Sequence, residues 1–163
     1  MLPQVSELEA ILNEQIAEHQ RLLKHLQSQQ TAMKLFDLKA MDAATNGQEA
    51  SRLRIMMLET KCRNLVLQVA RAHGKQGSLT IAEVALLYPL RSAQLLRQRA
   101  ALKELMKQIS DRATMAGKLA GAVLGHLNLI VRLLAGAVGK GGLYTKSGAA
   151  QMSGRIGVME AVG

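Results

Sequence analysis

The chain is poor in several things that common folds need. Among 163 residues there is no tryptophan, and one phenylalanine and two tyrosines bring the aromatic share to 2%. A β-sandwich or an α/β core usually leans on aromatic and β-branched side chains, so both are disfavoured. A single cysteine, Cys62, excludes an internal disulfide and any cysteine-cluster metal site. Only two prolines, Pro3 and Pro89, interrupt the sequence, which leaves long stretches free of helix breakers. The first residues carry no charged region followed by an apolar one, as a signal peptide would. The longest run without charge, Leu119 to Val131, has 13 residues, fewer than the roughly 20 that span a bilayer. These features predict a soluble, cytoplasmic protein.

What is present favours helix. Hydrophobic residues make up 48% of the chain and charged ones 20%, enough for a packed fold. Leucine, alanine, methionine and glutamine dominate, and all are helix formers. Apolar residues recur at 3-4 spacing along Val5, Leu8, Leu12, Leu22, Leu26 and Met33, with Gln15, His19 and Gln29 on the same line. This predicts a first helix over about 5–45, opened by a capping box at Ser6 and Glu9 and stopped at Asn46-Gly47. A second helix is predicted over 48–73, on the seam Ile55, Leu58, Cys62, Leu65 and Val69, and ended by Gly74 and Gly77. Thr80 and Glu83 form a capping box for a short helix over 81–87, and Pro89 suits the first turn of a third long helix over 90–138. Its seam runs through Leu95, Gln98, Leu102, Leu105, Ile109, Arg112, Ala116 and on to His126 and Ile130.

Short connections between three long helices imply an all-α, elongated antiparallel three-helix bundle or coiled coil, arranged up-down-up. Residues 1–138 form its helical domain. From Gly139 four glycines in eleven residues break the pattern, so 139–163 is expected to be a flexible C-terminal tail.

The net charge of +9 is uneven: residues 1–50 hold seven acids and four bases, and every later stretch is net basic. Such asymmetry fits an acidic protein partner, nucleic acid or a membrane surface. Nucleic acid gains no support from zinc-finger spacing or stacking aromatics. Nor is catalysis supported. His19, His25, His73 and His126 share no metal-binding spacing, and Thr145-Lys146-Ser147 lacks the glycine that a phosphate loop places before its lysine. Glu7, Glu9, Glu14 and Glu18 read as a solvated face, and Cys62 as an inert seam residue. The chain is therefore expected to be no enzyme and to need no cofactor or metal.

The last part of the third helix is unusual. Gly117, Gly121, Gly125 and Gly136 interrupt a run in which Val123, Leu124, Leu127, Leu129, Ile130, Val131, Leu133 and Leu134 cover more than one face. Either small residues pack closely on a neighbouring helix, or the apolar surface serves another chain.

Several segments together resemble the FlgN family of flagellar export chaperones, over roughly residues 5–148. They are Phe36-Asp-Leu-Lys-Ala-Met41, the basic helix to Leu58-Glu59, Leu79-Thr-Ile-Ala-Glu-Val84 with Pro89, His126-Leu-Asn-Leu-Ile-Val-Arg-Leu-Leu134, and the glycine-flanked Tyr144. The resemblance implies a cytoplasmic chaperone for hook-associated proteins, escorting them to the flagellar type III export apparatus without nucleotide or catalysis. It also implies a C-terminal client site, expected at Val123, Leu127, Ile130, Val131, Leu134 and Tyr144. Two readings of the residues stay open beside it: a basic helical nucleic-acid-binding protein and a passive coiled-coil scaffold.

Overall fold

A computed structural model describes residues 2–138. Four helices follow one another: α1 (Leu2–Leu35), α2 (Leu38–Ala72), α3 (Ile81–Leu87) and α4 (Pro89–Val138). Among the described residues there is no strand. Two compact units divide the chain, one ending at Ala116 and one beginning at Gly117. The expected tail, 139–163, lies outside the described residues.

The first break falls at Phe36-Asp37, ten residues before the expected Asn46-Gly47. Phe36 takes a left-handed conformation, φ 55°. Its N–H donates to Met33 O at 3.2 Å, and that of Asp37 donates to Ala32 O at 2.9 Å. This paired pattern is a Schellman motif, which satisfies the last carbonyls of α1. Asp37 then caps α2, accepting from Ala40 N–H at 3.0 Å. Two residues thus end one helix and start the next. The Asn46-Gly47 pair lies inside α2 instead, where Gly47 permits a close approach. A Cβ there would stand 2.5 Å from the His25 ring. Likewise α1 is already helical from Leu2, so Ser6 and Glu9 form no capping box.

Other local signals act as expected. Gly74, at φ 66°, closes α2 with Lys75 N–H donating to Ala70 O at 2.9 Å. Thr80 and Glu83 make the reciprocal capping box of α3. Glu83 is held below the usual carboxylate range by the Thr80 backbone N–H and then by the Thr80 hydroxyl. Pro89 is the first residue of α4, where a missing N–H costs nothing.

In the unit up to Ala116 the helices run up-down-up. The α1–α2 pair is antiparallel: Glu18 faces Arg54, and Gln29 faces Thr45 and Gln48. Along α4 the direction matches α1. Arg91 Nη1 donates to Glu9 Oε2 at 3.1 Å, and Arg112 Nη1 to Gln30 Oε1 at 3.1 Å. Both pairs are 82 residues apart in sequence, three heptads from each other along each helix. Two apolar layers fill the interior. Val5, Leu8, Leu12, Leu58, Leu65, Val69, Val84 and Leu95 form the larger, with all four helices contributing. Leu22, Leu26 and Ile55 form the smaller, against Ile109.

Polar side chains enter this interior, contrary to the expected solvated face of Glu9 and Glu18; both are buried. Gln98 Nε2 donates to Glu9 O at 2.9 Å and to Asn13 Oδ1 at 2.8 Å. His19, also buried, donates from Nδ1 to Gln15 O at 2.7 Å, as suits a satisfied core histidine. Glu18 accepts from Arg21 Nη1 at 2.6 Å and lies 3.6 Å from Arg54 Nη1. Burial pushes the Glu18 carboxyl up, but the neighbouring Ser51 hydroxyl, the Arg21 hydrogen bond and the two guanidinium charges outweigh it. The net effect holds the carboxyl below its ordinary range.

Two predictions follow from these contacts. Phe36→Gly should raise stability by about 0.5–1 kcal/mol, since glycine adopts φ > 0 without the Cβ clash and Phe36 is already exposed. Gly74→Ala should lower stability by about 1 kcal/mol, and urea unfolding midpoints of the two variants should move in opposite directions. Glu18→Gln should cost about 1 kcal/mol at pH 7, discounted because Arg21 and Arg54 are well exposed. The Glu18 pKa is lowered on folding, so its stabilisation is complete above the ordinary carboxylate value, about 4.3, and is lost as pH falls through the lower folded value. Unfolding curves of wild type and variant should therefore converge in acid and separate toward neutrality.

Candidate functional site

The second unit, within the described residues, is the stretch 117–138 of α4. Four glycines lie in it without breaking the helix, although each costs about 1 kcal/mol relative to alanine. A Cβ placed on Gly117, Gly121, Gly125 or Gly136 would meet nothing within 4 Å.

An unbroken helix turns 100° per residue, and this sorts the side chains. Val123, Leu127, Ile130, Val131 and Leu134 fall within an arc of about 100°, and Leu119 and Leu124 extend it to about 140°. Lys118, Gly121, Gly125, Asn128, Arg132 and Gly136 share the opposite side. Leu129 and Leu133 lie between the two, so apolar surface does cover more than one face. Much of it is open to solvent: Leu127 is 41% exposed, Ile130 39%, Val131 42% and Leu134 61%. Val123 is half-buried. His126, expected on the seam, is exposed. Five of the six expected site residues therefore share one face, and the sixth, Tyr144, lies outside the described residues.

The electrostatics of the stretch are one-sided. No Asp or Glu occurs between Asp111 and Glu160, while Arg112, Lys118 and Arg132 carry positive charge. By length and composition, α4 also qualifies as a helix able to cross a membrane, with none of its most apolar window buried. Arg132 falls within 119–136, where the longest uncharged run is the 13 residues noted above.

Chemical machinery is another matter. Among the described residues no three His, Cys, Asp or Glu side chains come together as a metal site. Cys62 is half-buried in α2; burial and then the nearby Glu59 charge push its thiol up, away from the reactive thiolate. The Arg21–Glu18–Arg54 cluster was not legible as a site, because it joins two helices. The local signal was the Glu18–Arg21 spacing of three.

An exposed apolar arc of this kind is a surface on which another protein chain can pack. The comparison with family models agrees: the model described as FlgN protein matches residues 1–152. The chain belongs to the FlgN family, a family of flagellar export chaperones. No curated protein matches the chain. Nor does any solved structure match it.

The exposure pattern makes a prediction about stability. Leu127→Gln, Ile130→Gln and Leu134→Gln should each change the unfolding free energy by less than about 0.5 kcal/mol. Leu95→Gln, at a fully buried position, should cost about 3 kcal/mol or more. Thermal melts followed by circular dichroism separate the two classes.

Proposed function

We propose that this protein is a cytoplasmic chaperone for hook-associated proteins, the hook–filament junction components. It masks their terminal helices and escorts them to the flagellar type III export apparatus. The observation that carries the reading is the exposed apolar arc of α4 in a chain of the FlgN family. A client's amphipathic helix lays its own stripe against Val123, Leu127, Ile130, Val131 and Leu134. Burying Leu127, Ile130, Val131 and Leu134, each already partly covered, supplies at most about 6–12 kcal/mol before the costs of association and ordering, in keeping with a complex that still releases its client. Tyr144, beyond the glycines, adds an amphipathic anchor. Arg132, Lys140 and Lys146 orient an acidic client and speed its capture more than they tighten it. The protein works without catalysis, cofactor or metal, and without inserting into a membrane.

Ile130→Asp combined with Leu134→Asp, in the full chain, tests this. Each substitution opposes a carboxylate to the client's apolar stripe, so affinity for a purified hook-associated protein should fall by about 100-fold or more in calorimetry. The melting temperature should hold, because both positions are exposed. As a control, Leu90→Asp, at a position 98% exposed, should leave binding unchanged. Full-strength binding by the double variant would refute the site. Failure of the wild type to bind any such client, together with salt-sensitive retention on DNA, would favour the nucleic-acid reading instead.

A further inference from the structure

The stretch 117–138 carries more apolar surface than one partner helix covers. Going round the helix from Leu129 through Leu133, Ile130, Leu134 and Leu127 to Leu124, the apolar sector spans about 220°. His126 is the one polar side chain inside it. The remaining sector holds Lys118, Asn128 and Arg132 among glycine and alanine. A packed helix covers a stripe about 100° wide. Beside such a partner the flank at Leu129 and Leu133 stays wet, and these two are 53% and 65% exposed. An apolar surface this wide, on the convex side of one helix, fits a partner that is itself a plane.

Charge narrows the choice of plane. From Arg112 to Met159 there are six bases, Arg112, Lys118, Arg132, Lys140, Lys146 and Arg155, and no acid. A second copy would bring the same positive charge, whereas an anionic lipid surface is complementary to it. Length then decides between crossing and lying flat. A bilayer core of about 30 Å takes about 20 residues. Any such window in this stretch draws Lys118 or Arg132 into hydrocarbon, because only 13 residues from Leu119 to Val131 are free of charge. Lying flat avoids that cost. The apolar sector then faces the bilayer, and both cations stay on the wet side, where long stems let them reach phosphates.

We propose that 117–138 also docks along the surface of an anionic lipid bilayer without crossing it, its apolar sector toward the acyl chains and Lys118 and Arg132 at headgroup level. The inference rests on the exposure, width and charge of this stretch and not on any client. Because the two would cover the same residues, the arc serves a client or a bilayer, one at a time.

The test uses the full-length protein and vesicles of phosphatidylcholine, alone or mixed with phosphatidylglycerol. Co-sedimentation at low salt should show at least about tenfold stronger binding to the mixed vesicles. Leu127→Gln combined with Leu134→Gln should weaken binding to them by about tenfold or more, as lost apolar contact requires. Lys118→Gln combined with Arg132→Gln should weaken it by about tenfold or more and leave binding to phosphatidylcholine unchanged. All four positions are exposed, so the melting temperature should hold. The chain has no tryptophan, so one introduced residue reports orientation. Bound to mixed vesicles, Ile130→Trp should shift to the blue and be shielded from acrylamide. Gly125→Trp lies on the opposite side, where a Cβ meets nothing within 4 Å, and should stay open to the quencher. The proposal is overturned if the protein binds neither vesicle or both equally, or if either double variant binds the mixed vesicles at full strength. Equal shielding of both tryptophans would mean that the helix is engulfed and would overturn it too. An Ile130→Trp emission already blue-shifted without lipid would overturn it by giving the arc to residues 139–163 or, if the protein sediments as a dimer, to a second copy. No hook-associated protein enters these measurements, so their failure and that of the client reading are told apart.

Discussion

The reversal at Phe36-Asp37 is the constraint on which the rest of the bundle depends. It leaves no slack: α1 ends and α2 begins within two residues, so the two helices must lie antiparallel and side by side. That placement brings Leu8 and Leu12 against Leu58 and Leu65, and sets Glu18 facing Arg54. The turn carries a local cost, because a β-carbon in the left-handed region costs about 1–2 kcal/mol. The return is larger. A helix of 34 residues extends about 50 Å, and pairing it along its length buries many side chains worth about 1.5–3 kcal/mol each. Gly47 completes the arrangement, since the His25 ring occupies the space that any β-carbon there would need.

Polar groups set the register that the apolar seams alone leave loose. Leucine at 3-4 spacing is satisfied by any shift of seven residues, whereas the Gln98 Nε2 donors find acceptors only where Glu9 O and Asn13 Oδ1 come within reach. The pairs Glu9–Arg91 and Gln30–Arg112 repeat the same offset three heptads apart, so both ends of the α1–α4 contact agree. A shift of α2 against α1 would take Arg54 away from the buried Glu18 and leave it only Arg21 of its own helix, and a poorly paired buried charge is costly. These contacts act chiefly as penalties on wrong alignments.

The stretch 117–138 obeys the opposite rule. In the first unit apolar residues sit inside and polar ones complete the alignment. Here Leu127, Ile130, Val131 and Leu134 face solvent, while glycine, Asn128 and Arg132 occupy the other side. A chain that keeps such a surface accepts its cost, because a contiguous apolar patch invites association. No acid lies between Arg112 and Met159, so the sequence around the arc carries positive charge alone.

Local rules were legible wherever a few neighbouring residues decide the outcome. The span Ile81–Leu87, its Thr80–Glu83 box, Pro89 at the head of α4 and the glycine closure of α2 all follow from capping and backbone chemistry within one turn. The apolar arc of 117–138 is equally a matter of helical period. The first turn was misplaced because local signals compete weakly. Asn46-Gly47 has the stronger turn chemistry, but a glycine costs a helix only about 1 kcal/mol, and hairpin packing overrides it. Asp37, a residue type favoured at N-caps, is the local signal that marks the true break. Glu9 and Glu18 were assigned to solvent because their partners, Arg91 and Arg54, are 82 and 36 residues away. The amino-acid sequence by itself determined helix content, the caps and the faces, all set by interactions within a few residues. Tertiary structure decided where the chain reverses and which charges are buried, because those outcomes depend on side chains that meet only after the long helices have packed.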